Sequence, residues 1–361
     1  MYRVRSGAVL CYRFYDIAES IDLDHARVTL QKSSARLKLK REGAQYLQMV
    51  NPPLGVEMGT RDLEGRPVEV QARLFEQGAV AVMARVPMPP GTTLEALVPF
   101  ADALYDHPGL DALGLKVAEE LRQALAPALK DPHLWEQSES YSIVYVREFE
   151  DLVAGSALLA DEAIPRLLVG ETREKLSADE ARVVLEHVYR YGEHDLAVVD
   201  WNATFLYDPT GSTDLPDVIE IANAQLLELR YYDDVLDREL GRVYDAIESR
   251  KPGFSLFSPW KGLLRELMLT VIELSELIER VENALKIIGD VFLARVYEGA
   301  LLQLRIKQWQ ATVIRKHGLL KQTYELLRGE VDTRRALTLE AMVVLLIITE
   351  ILMTMLKLGG H

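Results

Sequence analysis

The chain changes its hydrophobic period partway along, and that change divides it. Over roughly the first 90 residues apolar positions recur at every second residue, the period of a strand with one face buried. Residues 4–15, 35–40 (with Leu37 and Leu39 in alternation) and 55–60 read as strands, interrupted by the Asn51-Pro52-Pro53 turn. Residues 68–75 and 79–86 form the clearest hairpin, because Gly78 between them tolerates the positive φ that a tight turn demands. Pro87, Pro89, Pro90 and Gly91 stop it.

Helical spacing follows at residues 93–105, opened by Thr92 or Thr93, and at 110–129, closed by Asp131-Pro132. Residues 140–147 return to strand alternation. Helices are predicted at 160–168 and 178–187, the second opened by Ser177 with Glu180 three positions on, the spacing of a capping box. Strands at 194–200 and 203–207 are broken by Trp201-Asn202. The Asp208-Pro209-Thr210-Gly211 cluster is turn chemistry, and Thr213 or Asp214 caps a helix over 215–249 with Pro216 in its first turn. Residues 79–104 and 196–227 share an order of strand, Pro/Gly turn, Thr-containing cap and apolar helix, which fits either two related β-α units or chance.

The second half is long-helix sequence. Val218, Ala222, Leu229, Leu236, Leu240, Val243 and Ile247 fall on one stripe. After a break at 251–259, Leu264, Leu267, Val271, Leu274, Ile278, Val281, Leu285 and Ile288 alternate steps of three and four, as a coiled-coil seam does. Leu267, Val271, Leu274, Ile278, Val281 and Leu285 are the expected oligomerisation seam. Gly289-Asp290 reads as a kink or turn, and 292–328 is helical again, with Ile306, Val313, Leu320 and Leu327 seven apart. At ~1.5 Å per residue each long helix spans roughly 40 to 55 Å, which suits an antiparallel arm. Residues 337–358 are the most apolar stretch and reach the ~20 residues a bilayer needs, with Glu350 in their middle. A membrane anchor and a helix buried in an oligomer both fit.

The expected fold class is therefore α+β. Residues 1–135 form a β-rich α+β domain and 136–250 a second α+β unit ending in a long helix. A helical hairpin arm at 251–335 and an apolar C-terminal helix at 336–361 follow.

Charge and composition narrow the function. A formal charge of −14 opposes broad electrostatic embrace of nucleic acid, so a nucleic-acid partner is not expected, although Arg315, Lys316, Lys321, Arg328, Arg334 and Arg335 make the last arm locally basic. One cysteine, Cys11, excludes zinc sites built on two thiolates of one chain. Arg3, Arg5, Arg13 and Asp16 interrupt the start before any apolar run reaches signal-peptide length, so no export is inferred.

The motifs of P-loop nucleotide binding, dinucleotide binding, the hydrolase elbow and the Glu-x-x-His di-metal bundle do not occur in the sequence. No catalytic residue, metal ligand or cofactor is assigned. The sharpest alternative is an acidic site in 200–240, where Asp200, Trp201, Asp208, Arg230 and Asp234 are the candidate functional residues. The blander reading makes Asp208 a turn residue and Arg230, Asp234 and Arg238 a surface ladder of i,i+4 pairs worth some tenths of a kcal/mol each.

Arg334-Arg335, Leu339-Glu340, the apolar residues 343–348 and Glu350-Ile351, after a long helical hairpin, resemble the C-terminus of the required-for-meiotic-nuclear-division family of bacterial, fungal and mitochondrial proteins. The strand Val198-Val199-Asp200-Trp201 and the helix at 222–240 are similar in order to that family's layout. The resemblance implies homo-oligomerisation, membrane association through the C-terminal helix, no established catalysis and, for the mitochondrial relative, support of organellar translation. The expected function is a non-catalytic oligomeric scaffold or membrane-associated structural protein, cytoplasmic or anchored to the cytoplasmic face of the inner membrane. A metal- or nucleotide-dependent enzyme and an RNA- or ribosome-associated factor are the alternatives.

Overall fold

A computed structural model describes residues 2–30, 34–36, 51–248, 262, 264–272, 275 and 290–358. In chain order the strands are β1 (Val4–Asp16), β2 (Ala18–Ile21), β3 (Ser34–Arg36), β4 (Leu54–Leu63), β5 (Arg66–Leu74), β6 (Ala79–Pro87), β7 (Leu129–Pro132), β8 (Glu139–Phe149), β9 (Val188–Tyr189), β10 (Leu196–Val199) and β11 (Ala203–Tyr207). The helices are α1 (Leu23–Leu30), α2 (Leu94–Tyr105), α3 (Pro108–Ala124), α4 (Gly155–Leu158), α5 (Ala163–Val169), α6 (Ala178–Val184), α7 (Asp214–Glu248), the helical residues 264–272 (α8), α9 (Val291–Gln303) and α10 (Ile306–Leu358). The fold is α+β, as the two periods imply. Packing separates two units, Met1–Tyr231 with Ala284–Trp309, and Tyr232–Asn283 with Gln310–His361.

The first unit is built on one nine-stranded sheet in the order β3-β4-β5-β6-β1-β8-β11-β10-β9. β1 sits at its centre because it is 13 residues long and apolar on both faces, pairing antiparallel with β6 on one side and β8 on the other. The sheet thus runs across residue 135, where the sequence suggests a boundary between two α+β units. β8 and β11 pair in parallel, and the segment that joins them carries α4, α5 and α6. Two strand-turn-helix passages are present, β6 to α2 and β11 to α7, and both start in this one unit.

One face of the sheet presents Val9, Cys11 and Tyr15 of β1, Val68, Val70 and Leu74 of β5, and Val144 and Val146 of β8. α2, α3, α5 and α6 cover it with Leu97, Val117, Leu121, Ile164, Leu168 and Val184. Thr93 caps α2, its side chain accepting from the Ala96 amide, and Ser177 caps α6 by accepting from the Glu180 amide. Gly78 takes φ +98° in the β5–β6 turn, as the hairpin requires. Its absent side chain also leaves room for the Ala18 carbonyl, which the peptide bonds of the turn approach.

On the opposite face Leu10, Tyr12, Phe14, Ile143 and Leu206 are buried. Here lies the first half of α7, every residue of which from Asp214 to Leu229 is buried. α9 packs on β10 and reaches α7 through a 2.8 Å hydrogen bond from the Tyr297 hydroxyl to Gln225 Oε1. Gly299 of α9 lies where the Tyr189 hydroxyl leaves no space for a Cβ.

The second unit is helical. Leu236, Leu240 and Val243 of α7, Leu267 of α8, and Val313, Leu320, Leu327 and Val331 of α10 are buried. Lys316 pairs with Asp233 and Asp237, each at 2.6 Å, and His317 approaches the Val271 carbonyl at 3.2 Å. The predicted seam is therefore used inside the chain at Leu267, with Val271 half-buried beside it. Leu274, Ile278, Val281 and Leu285 lie outside the described residues.

Two helix predictions need correction. Residues 292–328 are not one helix: α9 ends at Gln303 with Leu304 as its cap, Arg305 turns back with φ +52°, and α10 begins at Ile306. Nor is the apolar stretch a separate helix, since α10 runs unbroken for 53 residues to Leu358.

Candidate functional site

The sequence points to 200–240, and the sheet places those residues in different surroundings. Asp200 ends β10 in the turn to β11. Its backbone carbonyl accepts from the Tyr141 hydroxyl at 2.8 Å, and burial raises its carboxyl above the ordinary range. Trp201 beside it is 40% exposed, with the Arg305 guanidinium 5.2 Å from its ring centre, a cation–π contact that ties the α9–α10 break to this turn. Asn202 and Ala203 line a small cavity of about 60 Å³ with Asp102, Tyr105, Ser142 and Gly170.

Asp208 lies at the other end of β11, at least four residues and roughly 13 Å from that turn. It does what the sequence suggests: its Oδ1 accepts from the Thr210 amide at 2.9 Å and the Thr210 hydroxyl at 2.7 Å, closing the loop before α7. Arg230 pairs with Glu139 at the start of β8 and lies 5.7 Å from the Trp309 ring centre. Asp234, in the second unit, pairs with Arg238 at 3.3 Å. The five candidates are thus spread over three places: the β10–β11 turn with Asp200 and Trp201, the loop before α7 with Asp208, and the middle of α7 with Arg230 and Asp234 one turn apart.

The acids between them form a tighter constellation. Asp214, Asp217, Glu220 and Glu228 are all at most 5% exposed, so they make no solvated face. Asp217 lies 2.8 Å from Nη2 of Arg73 on β5, and Glu220 accepts from Nη1 of the same guanidinium. Tyr12 of β1 stands beside them, its hydroxyl pushed well above its ordinary pKa by burial and by Glu220. Burial raises the Asp217 carboxyl and moves Glu220 up to about 7, against the opposing pull of Arg73.

A second polar cluster joins β1 to the segment after β7. Asp16, 1% exposed, meets Nε2 of His133 at 2.6 Å, while Nδ1 lies 2.9 Å from the Asp131 carbonyl. Burial raises the Asp16 carboxyl, opposed by His133. The His133 ring stacks on Tyr231 at 5.0 Å, and Trp135 meets Tyr231 edge-on at 5.7 Å. With both ring nitrogens engaged, this pair fixes a loop rather than offering a base to a substrate.

Arg73, Tyr12, Asp16, His133 and Glu139 escape sequence reasoning. Arg73 stands in a regular alternation, Val68-Glu69-Val70-Gln71-Ala72-Arg73-Leu74, in which every polar position reads as solvent-facing. Glu69 and Gln71 are exposed and Arg73 is not, because α7 covers only that end of the face.

The first unit's fold, a central sheet with helices over both faces, defines an α+β domain. The chain belongs to the family described as "Uncharacterized protein MJ0711, N-terminal domain", matched over residues 6–213. That match stops where α7 begins, so it spans the sheet and the helices of its first face. The uncharacterized protein MJ0711 of Methanocaldococcus jannaschii is 24% identical over 244 residues, covering 67% of this chain and 74% of the relative. No solved structure matches. These matches do not bear on the resemblance to the required-for-meiotic-nuclear-division family.

Proposed function

We propose that the protein is a non-catalytic, membrane-associated structural protein, held at the cytoplasmic face of a membrane by the apolar part of α10. The observation that carries this reading is the surface of that helix. Its most apolar 18-residue window has a mean hydropathy of 2.2, with none of it buried. Leu339, Val343, Leu346, Ile348, Ile351 and Met353 are each 48–68% exposed, on all sides of the helix. A soluble helix keeps a polar face, whereas a helix apolar all round belongs in a core or a bilayer. At ~1.5 Å per residue, residues 337–358 extend about 33 Å, matching a hydrocarbon core of ~30 Å. Arg328, Arg334 and Arg335 precede the stretch, whereas its far end carries only Lys357, which favours the preceding side as cytoplasmic.

The pairing of the acids supports the non-catalytic half of the reading, since Asp208 closes a turn, Asp217 and Glu220 hold Arg73, and Asp233 and Asp237 hold Lys316. The same membrane association is what the family resemblance of the C-terminal residues implies. Flotation with liposomes after a high-salt wash tests it. The full chain is expected to float, and a chain ending at Asp332 to remain in the soluble fraction. A full chain that stays soluble as a large assembly would replace the anchor by a helix buried between copies.

A further inference from the structure

Two buried acids of α7 share one base of the sheet. Asp217 and Glu220 are three residues apart, hence on one side of the helix, and both reach the single guanidinium of Arg73. Their side chains are 4% and 5% exposed, and that of Arg73 is 17% exposed. Tyr12 of β1 also faces Glu220, but its hydroxyl carries no charge at neutral pH, while Asp214, one turn earlier, adds to the acid beside Asp217. With both carboxylates ionised, one positive charge meets two negative ones in a dry interior. An uncompensated buried charge is relieved by taking up a proton.

We propose that Arg73, Asp217 and Glu220 form a proton-operated latch: with one proton bound between the two carboxylates it holds the first turns of α7 on the sheet, and loss of that proton loosens them. The latch sits at the root of the 35-residue helix that continues into the second unit, and it does not depend on the membrane reading. Glu220 is the group that holds the proton. Burial lifts it from 4.5 to about 7, with Arg73 pulling down and Asp217 pushing up. Its folded pKa lies above its unfolded one, so the folded state binds the extra proton. Stability therefore falls as pH rises from about 4.5 to about 7 and is level above that, by up to tenfold in the folding equilibrium per pH unit.

Hydrogen exchange of the full chain in detergent micelles reads the latch directly. Protection of amides in residues 214–231 is compared at pH 6 and pH 8, corrected for intrinsic exchange with an unstructured reference peptide. Wild-type protection is expected to fall about tenfold between those pH values. Glu220→Gln keeps an acceptor for Arg73 without the charge, and its protection is expected to stay level. Asp217→Asn leaves one carboxylate to one guanidinium and is expected to be level too, so it reads the latch even where the first variant fails to fold. Glu69→Gln, at a residue 73% exposed on β5, is expected to keep the wild-type fall. A fall of the same size in the wild type and both interior variants, or wild-type protection that rises with pH, overturns the latch.

Discussion

At the scale of single residues, surroundings decide what a side chain does. Gly78 is a case where the local demand is strict. Its φ of +98° lies in the region that disfavours any Cβ, and a Cβ there would run into the Ala18 carbonyl, which is backbone and cannot rotate away. Gly78→Ala is expected to cost about 1–3 kcal/mol, measured as a shift of the denaturation midpoint. That position is legible in the sequence because a two-strand pattern around Glu76-Gln77-Gly78 demands a turn there. The acids of α7 are the opposite case. Asp217 and Glu220 are not among the residues the sequence singles out, yet they are interior partners of an arginine 144 and 147 residues earlier in the chain. Nothing local distinguishes them from Glu239, since a carboxylate is identical in sequence whether or not another element covers it.

At the scale of elements, hydrophobic period reports existence and face well, and breaks without Gly or Pro poorly. The end of α9 falls at Leu304-Arg305, where no punctuating residue stands, and Arg305 is held by Trp201 across the fold. A contact from another element supplies what the local sequence lacks. The helix 264–272 shows that a three-four spacing specifies a buried stripe without naming the partner that buries it. Leu267 is 1% exposed within a unit shared with α7 and α10. Leu267→Ala is therefore expected to destabilise that helical unit by about 2–5 kcal/mol, while leaving the mass of the assembly in detergent unchanged. A lighter assembly with unaltered helix stability would return Leu267 to an interface between copies.

At the scale of the whole molecule, the chain consists of a sheet domain belonging to the MJ0711 N-terminal family and a helical unit that ends in an exposed apolar stretch. The bilayer reading makes a sharp prediction at the centre of that stretch. Replacing a central leucine by arginine changes the insertion free energy by about 3–4 kcal/mol. Leu346→Arg should accordingly move most of the full chain from the floating to the soluble fraction in the liposome experiment, whereas Leu326→Arg, on an exposed position before the stretch, should not.

The sequence by itself determined the α+β class, the β5–β6 hairpin with Gly78, the caps at Thr92 or Thr93 and at Ser177, the turn at Asp208 and the apolar run at 337–358. Each of these follows from spacing or from a residue's own backbone preference, which need no knowledge of what lies across the fold. The tertiary structure alone decided that one sheet joins residues 4–16 to 203–207, that Arg73 gathers Asp217 and Glu220, and that Leu267 packs inside its own chain. Those depend on which elements meet, and contacts between residues far apart leave no periodic mark in a single sequence.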